Sequence, residues 1–206
     1  MSTQSPVLID VPEELDGPRI RLRPFRADDA LALWEAIEES RERLEPWMPW
    51  VQSDRSVEDV RLFVARAQAE WLLRENLHMG ILDRNGRRLL GVGGFHHLDW
   101  GIRSFEIGYW LRTSAEGQGY MQEAVQLLTR VAFGTLDANR VEIHVDPRNV
   151  RSCNVARRLG FVLEGTLRNC APDGYGLPSD RHVFGLTPAD YSGLDWVRSL
   201  SAEVPQ

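Results

Sequence analysis

Two glycines stand directly before an amphipathic helix in the segment EGQGYMQEA, Glu116 to Ala124, and this pairing constrains the fold more than any other feature. The helix would begin between Gly117 and Gly119. Glycines let the backbone approach a ligand closely, and the free N–H groups and positive dipole end of a helix attract an anion. The segment predicts a phosphate-binding turn, with an ordinary turn into a helix as the alternative. The apolar positions that recur at three- and four-residue steps are Met121, Ala124, Val125, Leu128, Val131 and Ala132.

Strand patterns flank this segment on both sides. Before it, the residues of Ser104–Leu111 (SFEIGYWL) alternate in the manner of a strand, and after it β-branched residues mark Arg140–Val145 (RVEIHV) as another. Asn149 is a good helix N-cap, and Gly160 ends the short helix that follows, before a strand that begins at Phe161. The order is strand, glycine turn, helix, strand, Asn-capped helix and strand.

The remaining patterns predict a mixed sheet. Asn85 and Gly86 form a hairpin signal between two strands of Leu77–Trp100, which predicts antiparallel pairing. We therefore expect an α/β (α+β) fold with six or seven strands and about four main helices. One domain over residues 17–200 would lie between a loose arm, residues 1–16, and a tail, residues 201–206. The other predicted elements are a strand over Arg19–Phe25, helices over Arg26–Ser40 and Ser56–Glu75, a strand over Arg181–Leu186 and a short helix after Thr187 and Pro188.

Composition excludes several classes of function. The 206 residues suit one domain, and with 43% hydrophobic residues no apolar run is long enough to span a bilayer. A net charge of −6 and a pI near 5.4 argue against nucleic acid as a partner. Cys153 and Cys170 have no partner at metal-ligand spacing, so no metal is expected. The N-terminus has no leader-like block, which predicts a cytoplasmic protein that binds no membrane.

The order of elements and the motifs within them resemble the GCN5-related N-acetyltransferase (GNAT) superfamily, which transfers acetyl from acetyl-CoA to amines. EIGYWL, GQGYM with EA, an asparagine with a serine three residues on, RLGF and EG look like the RimJ/RimL-like branch that acetylates protein N-termini, including those of ribosomal proteins. LEPWMPW at Leu44 to Trp50 fits that branch too. The resemblance covers most of the chain. It implies the GNAT fold, acetyl-CoA held in a gap between two splayed central strands, a protein or peptide N-terminus as partner, and a homodimer.

The resemblance also implies where the cofactor would bind. The superfamily's phosphate motif begins with Gln or Arg three residues before its first glycine, but this chain has Ser114 there. Backbone N–H groups must then supply most of the phosphate contacts, with charge added by Arg112 or Arg157. The predicted cofactor-binding residues are Trp110, Leu111, Arg112, Gly117, Gln118, Gly119, Tyr120, Met121, Asn149, Ser152 and Arg157.

Amide formation needs a neutral amine, a stabilised oxyanion and a protonated thiolate leaving group. Glu106 is the candidate base, because it shares a strand face with Gly108 and Trp110 and occupies the position of the base in histone-type members of the superfamily. The alternatives are a solvent-facing charge or a residue that only orients the substrate. A base matters less for an N-terminal acceptor, since an α-amine with a pKa near 7.7–8.0 is roughly a tenth neutral at pH 7.

Ser152 is the candidate acid. It matches the serine that protonates the thiolate in the ribosomal-protein branch, whereas the tyrosine of many superfamily members is replaced by Ala156. The alternative is a helix-cap residue, and Asn149 has the same alternative. A glutamate that acts as base in some members of the branch would fall at Ala171, so that base is absent, and the insertion-like stretch Cys170–Asp180 leaves the acceptor open.

The acceptor pocket has five candidate residues, and the candidates in the LEPWMPW segment and at His96 have a plainer alternative. The Pro-punctuated aromatic knot LEPWMPW either lines the pocket or packs in the core. His96 and His97 are adjacent, so in a regular strand they face opposite sides, and one of them either meets the substrate or has only a strand role. The predicted substrate-binding residues are Trp47, Met48, Trp50, His96 and Tyr109.

Three functions are compatible with these patterns. The first is an N-acetyltransferase that acts on the N-terminal α-amine of a protein. The second uses the same cofactor on a small amine such as a polyamine, an aminoglycoside or a peptide antibiotic. The third is a non-catalytic acyl-CoA-binding module, which the departures at Ser114, Ala156 and Ala171 keep open.

Overall fold

The computed structural model describes residues 5–53 and 55–202. Its helices follow the predicted order, with four long ones and two short ones at the C-terminal end. Ser56 accepts a hydrogen bond from the backbone N–H of Asp59 and so caps the second helix as its sequence predicts. The helices are α1 (Asp29–Leu44), α2 (Val57–Leu73), α3 (Tyr120–Gly134), α4 (Val150–Arg158), α5 (Pro188–Gly193) and α6 (Asp195–Ala202).

Eight strands form one mixed sheet in the order β1-β2-β3-β4-β5-β6-β8-β7. The predicted class is confirmed, and the strand beyond the six or seven expected is the two-residue β1, which is too short to carry an alternating pattern. The strands are β1 (Leu15–Asp16), β2 (Ile20–Pro24), β3 (Leu77–Asp83), β4 (Leu89–Asp99), β5 (Ser104–Leu111), β6 (Arg140–Val145), β7 (Val162–Pro172) and β8 (Pro178–Leu186).

The two central strands, β5 and β6, separate along their length. They pair in parallel over three positions, from Ser104 opposite Arg140 to Glu106 opposite Glu142. Beyond that point β5 continues to Leu111 on the side of β4, and β6 continues on the side of β8. The gap between them is the splay that the resemblance implies.

A hydrophobic core lies on each face of the sheet. On one face α3 and α4 pack against Phe105 and Ile107 of β5, and on the other α1 and α2 pack against Val92 and Trp110. Successive side chains of a strand point to opposite faces. The odd-numbered residues of β5 therefore face α3 and α4, and Glu106 and Trp110 face α1 and α2.

The N-terminal arm is less loose than its composition suggests. Val11 and Leu15 are buried in the core, and β1 pairs with β2. This part of the predicted arm therefore packs on the domain, because its apolar residues bury surface that composition alone does not locate. Residues 1–4 of the arm and 203–206 of the predicted tail lie outside the described residues. Among the helices of the described chain, none is long and apolar enough to cross a membrane.

Candidate active site

A cavity of about 1280 Å³ passes through the gap between β5 and β6. Its walls come from both faces of the sheet: Met121 and Ser152 belong to helices on one face, and Trp50 and His96 lie on the other. Two predicted regions, the cofactor site and the acceptor pocket, are thus continuous. The predicted site residues that line this cavity are Trp47, Met48, Trp50, His96, Glu106, Tyr109, Trp110, Leu111, Gly117, Met121, Asn149 and Ser152.

The glycine turn has the backbone that its sequence predicts. Gly117 and Gly119 have φ angles of 75° and 81°, in the left-handed region that favours glycine, and Gly119 is the N-cap of α3. The first N–H groups of a helix have no partner within the helix, so they are free to bind an anion. Gly117 lines the cavity at this helix start.

Arg19 secures the turn from outside, a role that the sequence does not reveal. Its guanidinium donates to the carbonyl of Gln118 at 2.7 Å and to the carboxylate of Glu123 at 2.8 Å. The buried Glu123 also accepts hydrogen bonds from the backbone N–H groups of Arg19 and Ile20. The start of α3 is therefore tied to the start of β2. The partners are about a hundred positions apart, so no local pattern signals the contact.

The two arginines expected to add charge at the turn are engaged elsewhere. Arg112 binds Glu39, whose pKa falls to about 2 chiefly because of that hydrogen-bonded guanidinium, and Arg157 lies over the ring of Phe184 at 5.6 Å. Instead, Arg43 and Arg151 line the cavity and both pair with Glu116 beside the turn. Five of the predicted cofactor-binding residues are not among the described residues that line the cavity: Arg112, Gln118, Gly119, Tyr120 and Arg157.

Ser152 and Tyr109 face each other across the cavity wall. The Asn149 side chain accepts a hydrogen bond from the backbone N–H of Ser152 at 3.1 Å and so starts α4. The Ser152 hydroxyl donates to the Tyr109 hydroxyl at 3.0 Å, and the Tyr109 hydroxyl donates to the Ser152 carbonyl at 3.2 Å. Burial raises the pKa of Tyr109, so its phenol keeps its proton at neutral pH. Asn149 is thus an N-cap, and Ser152 bears a hydroxyl that faces the cavity.

Glu106 lies among three histidines. Its carboxylate is 3.0 Å from Nδ1 of His97, 3.6 Å from Nδ1 of His144 and 3.9 Å from Nε2 of His96. His144 also contacts Glu142 at 2.8 Å. With its side chain only 15% exposed, Glu106 is not the solvent-facing charge that was one alternative. It faces the cavity and retains the candidate base role or an orienting one.

His96 and His97 do not face opposite sides, and the regular-strand expectation is wrong here. The pairing of β4 with β5 is irregular between His96 and Asp99, and His97 has a φ of 49°. Such a bulge with a left-handed residue re-aims a side chain. The two rings stack with centroids 5.6 Å apart, and both approach Glu106.

The His96 ring occupies the space that a side chain at position 108 would fill. It lies over Gly108, where a Cβ atom would overlap the imidazole. Burial lowers the pKa of His96 to about 4, so the ring is neutral at pH 7. Its buried Nε2 has no hydrogen-bond partner among the described residues, and its ring lines the cavity. His96 is therefore a neutral imidazole whose Nε2 is unpaired in the described part of the chain.

The aromatic knot both lines the cavity and packs in the core. Trp50 lies 5.9 Å from the ring of Trp110, and Trp47 lies under the guanidinium of Arg148. The insertion-like stretch supports this loop from outside. In the turn between β7 and β8, the Gly174 N–H donates to the Pro46 carbonyl at 3.1 Å. This turn therefore helps to hold the loop that carries Trp47 and Trp50.

Ion pairs also join this turn to Arg148, which lies over Trp47. Asp173 of the turn pairs with Arg148 at 3.1 Å, and Arg148 also pairs with Asp146 at 2.7 Å. Asp146 keeps a low pKa of about 2, because hydrogen bonds from Arg148 and Ser179 outweigh the cost of burial. Over residues 5–53 and 55–202, no group of three or more His, Cys, Asp or Glu side chains is arranged to hold a metal ion.

Comparison with known proteins agrees with this geometry. The acetyltransferase (GNAT) domain family matches residues 19–162. YdaF of Bacillus subtilis (strain 168) is 30% identical over 178 residues, which are 84% of this chain and 94% of that protein. The ribosomal-protein-serine acetyltransferase of Escherichia coli (strain K12) is 31% identical over 66% of this chain and 75% of its own.

A solved structure shows the same fold. RimL, the ribosomal L7/L12 alpha-N-protein acetyltransferase, in complex with coenzyme A superposes with a TM-score of 0.78 at 25% identity, over 85% of this chain and 98% of that one. The chain belongs to the GNAT acetyltransferase family. It is an acetyl-CoA-dependent acyltransferase of the RimJ/RimL-like kind.

Proposed function

We propose that this protein transfers acetyl from acetyl-CoA to the N-terminal α-amine of a protein, with ribosomal proteins as the acceptor class. The observation that carries the proposal is the cavity between β5 and β6, which has Glu106 on one face of the sheet and Ser152 on the other. A carboxylate and a hydroxyl on opposite sides of one gap suit a reaction that removes a proton from an amine and returns one to a leaving group.

The cofactor supplies an activated acetyl thioester, and the chain supplies its binding and the proton transfers. The N–H groups at Gly117 and the start of α3 would hold the phosphates. Arg43 and Arg151, which pair with Glu116 in the free protein, would bind the phosphates in place of that carboxylate. Met121 and Leu111 line the inner wall of the cavity. The apolar wall would exclude water from the thioester.

Glu106 is proposed as the base that accepts a proton from the acceptor ammonium. An N-terminal α-amine has a pKa of about 7.7–8.0, so a single carboxylate suffices to complete its deprotonation near pH 7. His97 and His144 hold the Glu106 carboxylate toward the cavity. The names of the two ribosomal-protein relatives support the same acceptor class.

Ser152 is proposed as the acid that donates a proton to the departing thiolate. Its hydroxyl faces the cavity from the first turn of α4, where the positive end of the helix dipole favours a developing negative charge. The position filled by tyrosine in many superfamily members holds the buried Ala156, which leaves Ser152 as the hydroxyl of α4 in the cavity wall.

Four further features are proposed from the family resemblance and the composition of the chain. Residues 17–200 form the single catalytic domain, the enzyme acts in the cytoplasm as a homodimer, and it uses neither nucleic acid nor a membrane as partner. The acidic balance of the chain, −6 at pH 7, supports the last point and suits a basic protein acceptor. Light scattering of the purified protein tests the dimer.

A thiol-release assay tests the function. Acetyl-CoA is offered with N-terminal peptides, the same peptides with a blocked α-amine, lysine peptides and small amines. Release with the free α-amine alone supports the proposal, and preference for a small amine replaces it with the second function. Acetyl-CoA binding without release on the full panel indicates a non-catalytic module. Because the chain contains no lysine, acetylation of its own lysines cannot add background.

A further inference from the structure

A serine hydroxyl is a poor proton donor when it acts alone. An aliphatic hydroxyl is a weaker acid than a phenol, so a serine that gives up its proton needs a prompt replacement. Ser152 stands in the cavity wall with one hydroxyl partner, the Tyr109 phenol at 3.0 Å. This pairing places a second proton donor, the Tyr109 phenol, beside Ser152.

Tyr109 is held so that its hydroxyl stays beside Ser152. It lies on β5 at the splay, with its side chain on the face of α4, and its hydroxyl is also bonded to the Ser152 carbonyl at 3.2 Å. Hydroxyl protons rotate, so the bond between the two oxygens can reverse its direction without moving either residue. In the reversed arrangement Tyr109 donates and Ser152 accepts.

We propose that Tyr109 is a positioning residue that supplies its proton to Ser152 as Ser152 protonates the leaving thiolate. This inference rests on the proposed function, and it assigns Tyr109 to proton transfer rather than to acceptor binding alone. The Oγ–H bond of Ser152 breaks and an S–H bond forms, while the Tyr109 Oη–H bond breaks and a new Oγ–H bond forms. Tyr109 then regains a proton from solvent, and Glu106 releases to solvent the proton that it took from the acceptor ammonium, so the cycle leaves no net charge.

Burial, the Ser152 hydroxyl and a neighbouring thiol set the acidity of Tyr109. The neighbouring titratable group on α4 is the buried Cys153, and the residue opposite Tyr109 on β4 is Gly93, which has no side chain. On its own strand, Glu106 points to the other face of the sheet. Other titratable or charged groups that line the cavity include Arg151 on α4, His144 on β6, Asp146 and Arg148 after β6, and Arg181 on β8. A phenol whose pKa is raised by burial remains a proton donor throughout the neutral range.

Removing the phenol hydroxyl tests the inference. Tyr109→Phe keeps the ring and should lower kcat about 10- to 100-fold, with little change in acetyl-CoA affinity by calorimetry. Tyr191→Phe, outside the cavity, is the matched control. The double variant with Ser152→Ala should be no slower than Ser152→Ala alone, because the two hydroxyls act as one unit. Multiplied losses in the double variant would show independent roles and overturn the relay.

A second variant separates proton supply from simple packing. Replacing Tyr109 with a fluorinated tyrosine of lower phenol pKa should restore most of the rate lost in Tyr109→Phe. It should also add an alkaline limb to kcat, since the rate falls as pH rises through the pKa of the fluorinated phenol. A restored rate without that limb would leave Tyr109 a structural role only.

The same fluorinated residue gives a readout that does not depend on turnover. In the free enzyme, the ¹⁹F resonance at position 109 should move on Ser152→Ala and stay in place on Ser192→Ala. No movement on Ser152→Ala would remove the contact on which the inference rests. If the wild type binds acetyl-CoA and acetylates nothing, the proposed function fails, and the relay fails with it. If the wild type is active and Tyr109→Phe matches it, the relay alone fails.

Discussion

The proposed cofactor half and the proposed acceptor half of the cavity are built in different ways. The cofactor half consists of the glycine turn, α3 and the start of α4, each shaped by residues adjacent in sequence: Gly119 caps α3, and Asn149 caps α4. The acceptor half consists of the Trp47–Trp50 loop, the His96–His97 bulge and the turn between β7 and β8. Its parts meet through contacts between distant segments, such as Gly174 with Pro46.

This difference predicts how each half responds to change. A substitution in the cofactor half alters a local backbone geometry that the ligand contacts directly, so acetyl-CoA affinity or the chemical step should change. A substitution in the acceptor half alters how distant segments fit together, so acceptor affinity should change and acetyl-CoA affinity should not. The following experiments test that division.

The largest loss of turnover is expected for Ser152→Ala. It removes the proposed acid and should lower kcat by roughly 10²-fold, with acetyl-CoA affinity unchanged, because the Asn149 cap uses the backbone N–H of residue 152. Steady-state kinetics and calorimetry measure the two quantities, with Ser192→Ala as control. Unchanged turnover, once chemistry is shown to limit the rate, would reduce Ser152 to a helix-start residue.

Gly119→Val should weaken acetyl-CoA binding about tenfold or more. A β-branched residue at a φ of 81° is strained by about 1–3 kcal/mol, so the turn should adopt another backbone conformation that displaces its phosphate-binding N–H groups. Gly134→Val is the matched control at the other end of α3, where an added Cβ meets no atom within 4 Å. Equal affinity of Gly119→Val and wild type in calorimetry would place the phosphates elsewhere.

Glu106→Gln should give a loss that depends on pH. With an α-amine acceptor the deficit should be about tenfold or more at pH 6, where the amine is protonated, and should shrink above about pH 8, where the amine is neutral. Rates of wild type, Glu106→Gln and the exposed-site control Glu35→Gln are compared from pH 6 to 9.5 on an N-terminal peptide. A constant ratio of wild type to variant across that range would show that Glu106 is not the base.

The smallest effect is expected at the edge of the acceptor half. In Gly174→Ala the added Cβ would overlap the carbonyl of Glu45, which should displace the Trp47–Trp50 loop and raise the KM for the peptide about fivefold. Acetyl-CoA affinity should stay the same. Gly165→Ala on β7, where a Cβ meets no atom within 4 Å, is the control. A change in acetyl-CoA affinity with an unchanged peptide KM would contradict the division between the halves.

The fold was predictable because its signals are local and periodic. Gly117, Gly119, Asn149 and the hairpin at Asn85 and Gly86 each specify a backbone geometry from a few adjacent residues, and the structure contains all of them. The placement of Arg112 and Arg157 was not predictable. A long cationic side chain pairs with the carboxylate or ring that the fold brings near it, here Glu39 and Phe184.

The sequence by itself determined the order of elements, the glycine turn, the capped helix that carries Ser152 and the strand that carries Glu106. Only the tertiary structure decided which groups meet them: Arg19 at the turn, Tyr109 at Ser152, and His97 at Glu106. The reason is physical. Helix caps and glycine turns depend on backbone dihedral angles within a few residues, whereas side-chain partners across a sheet depend on strand pairing, a bulge and the burial of two cores.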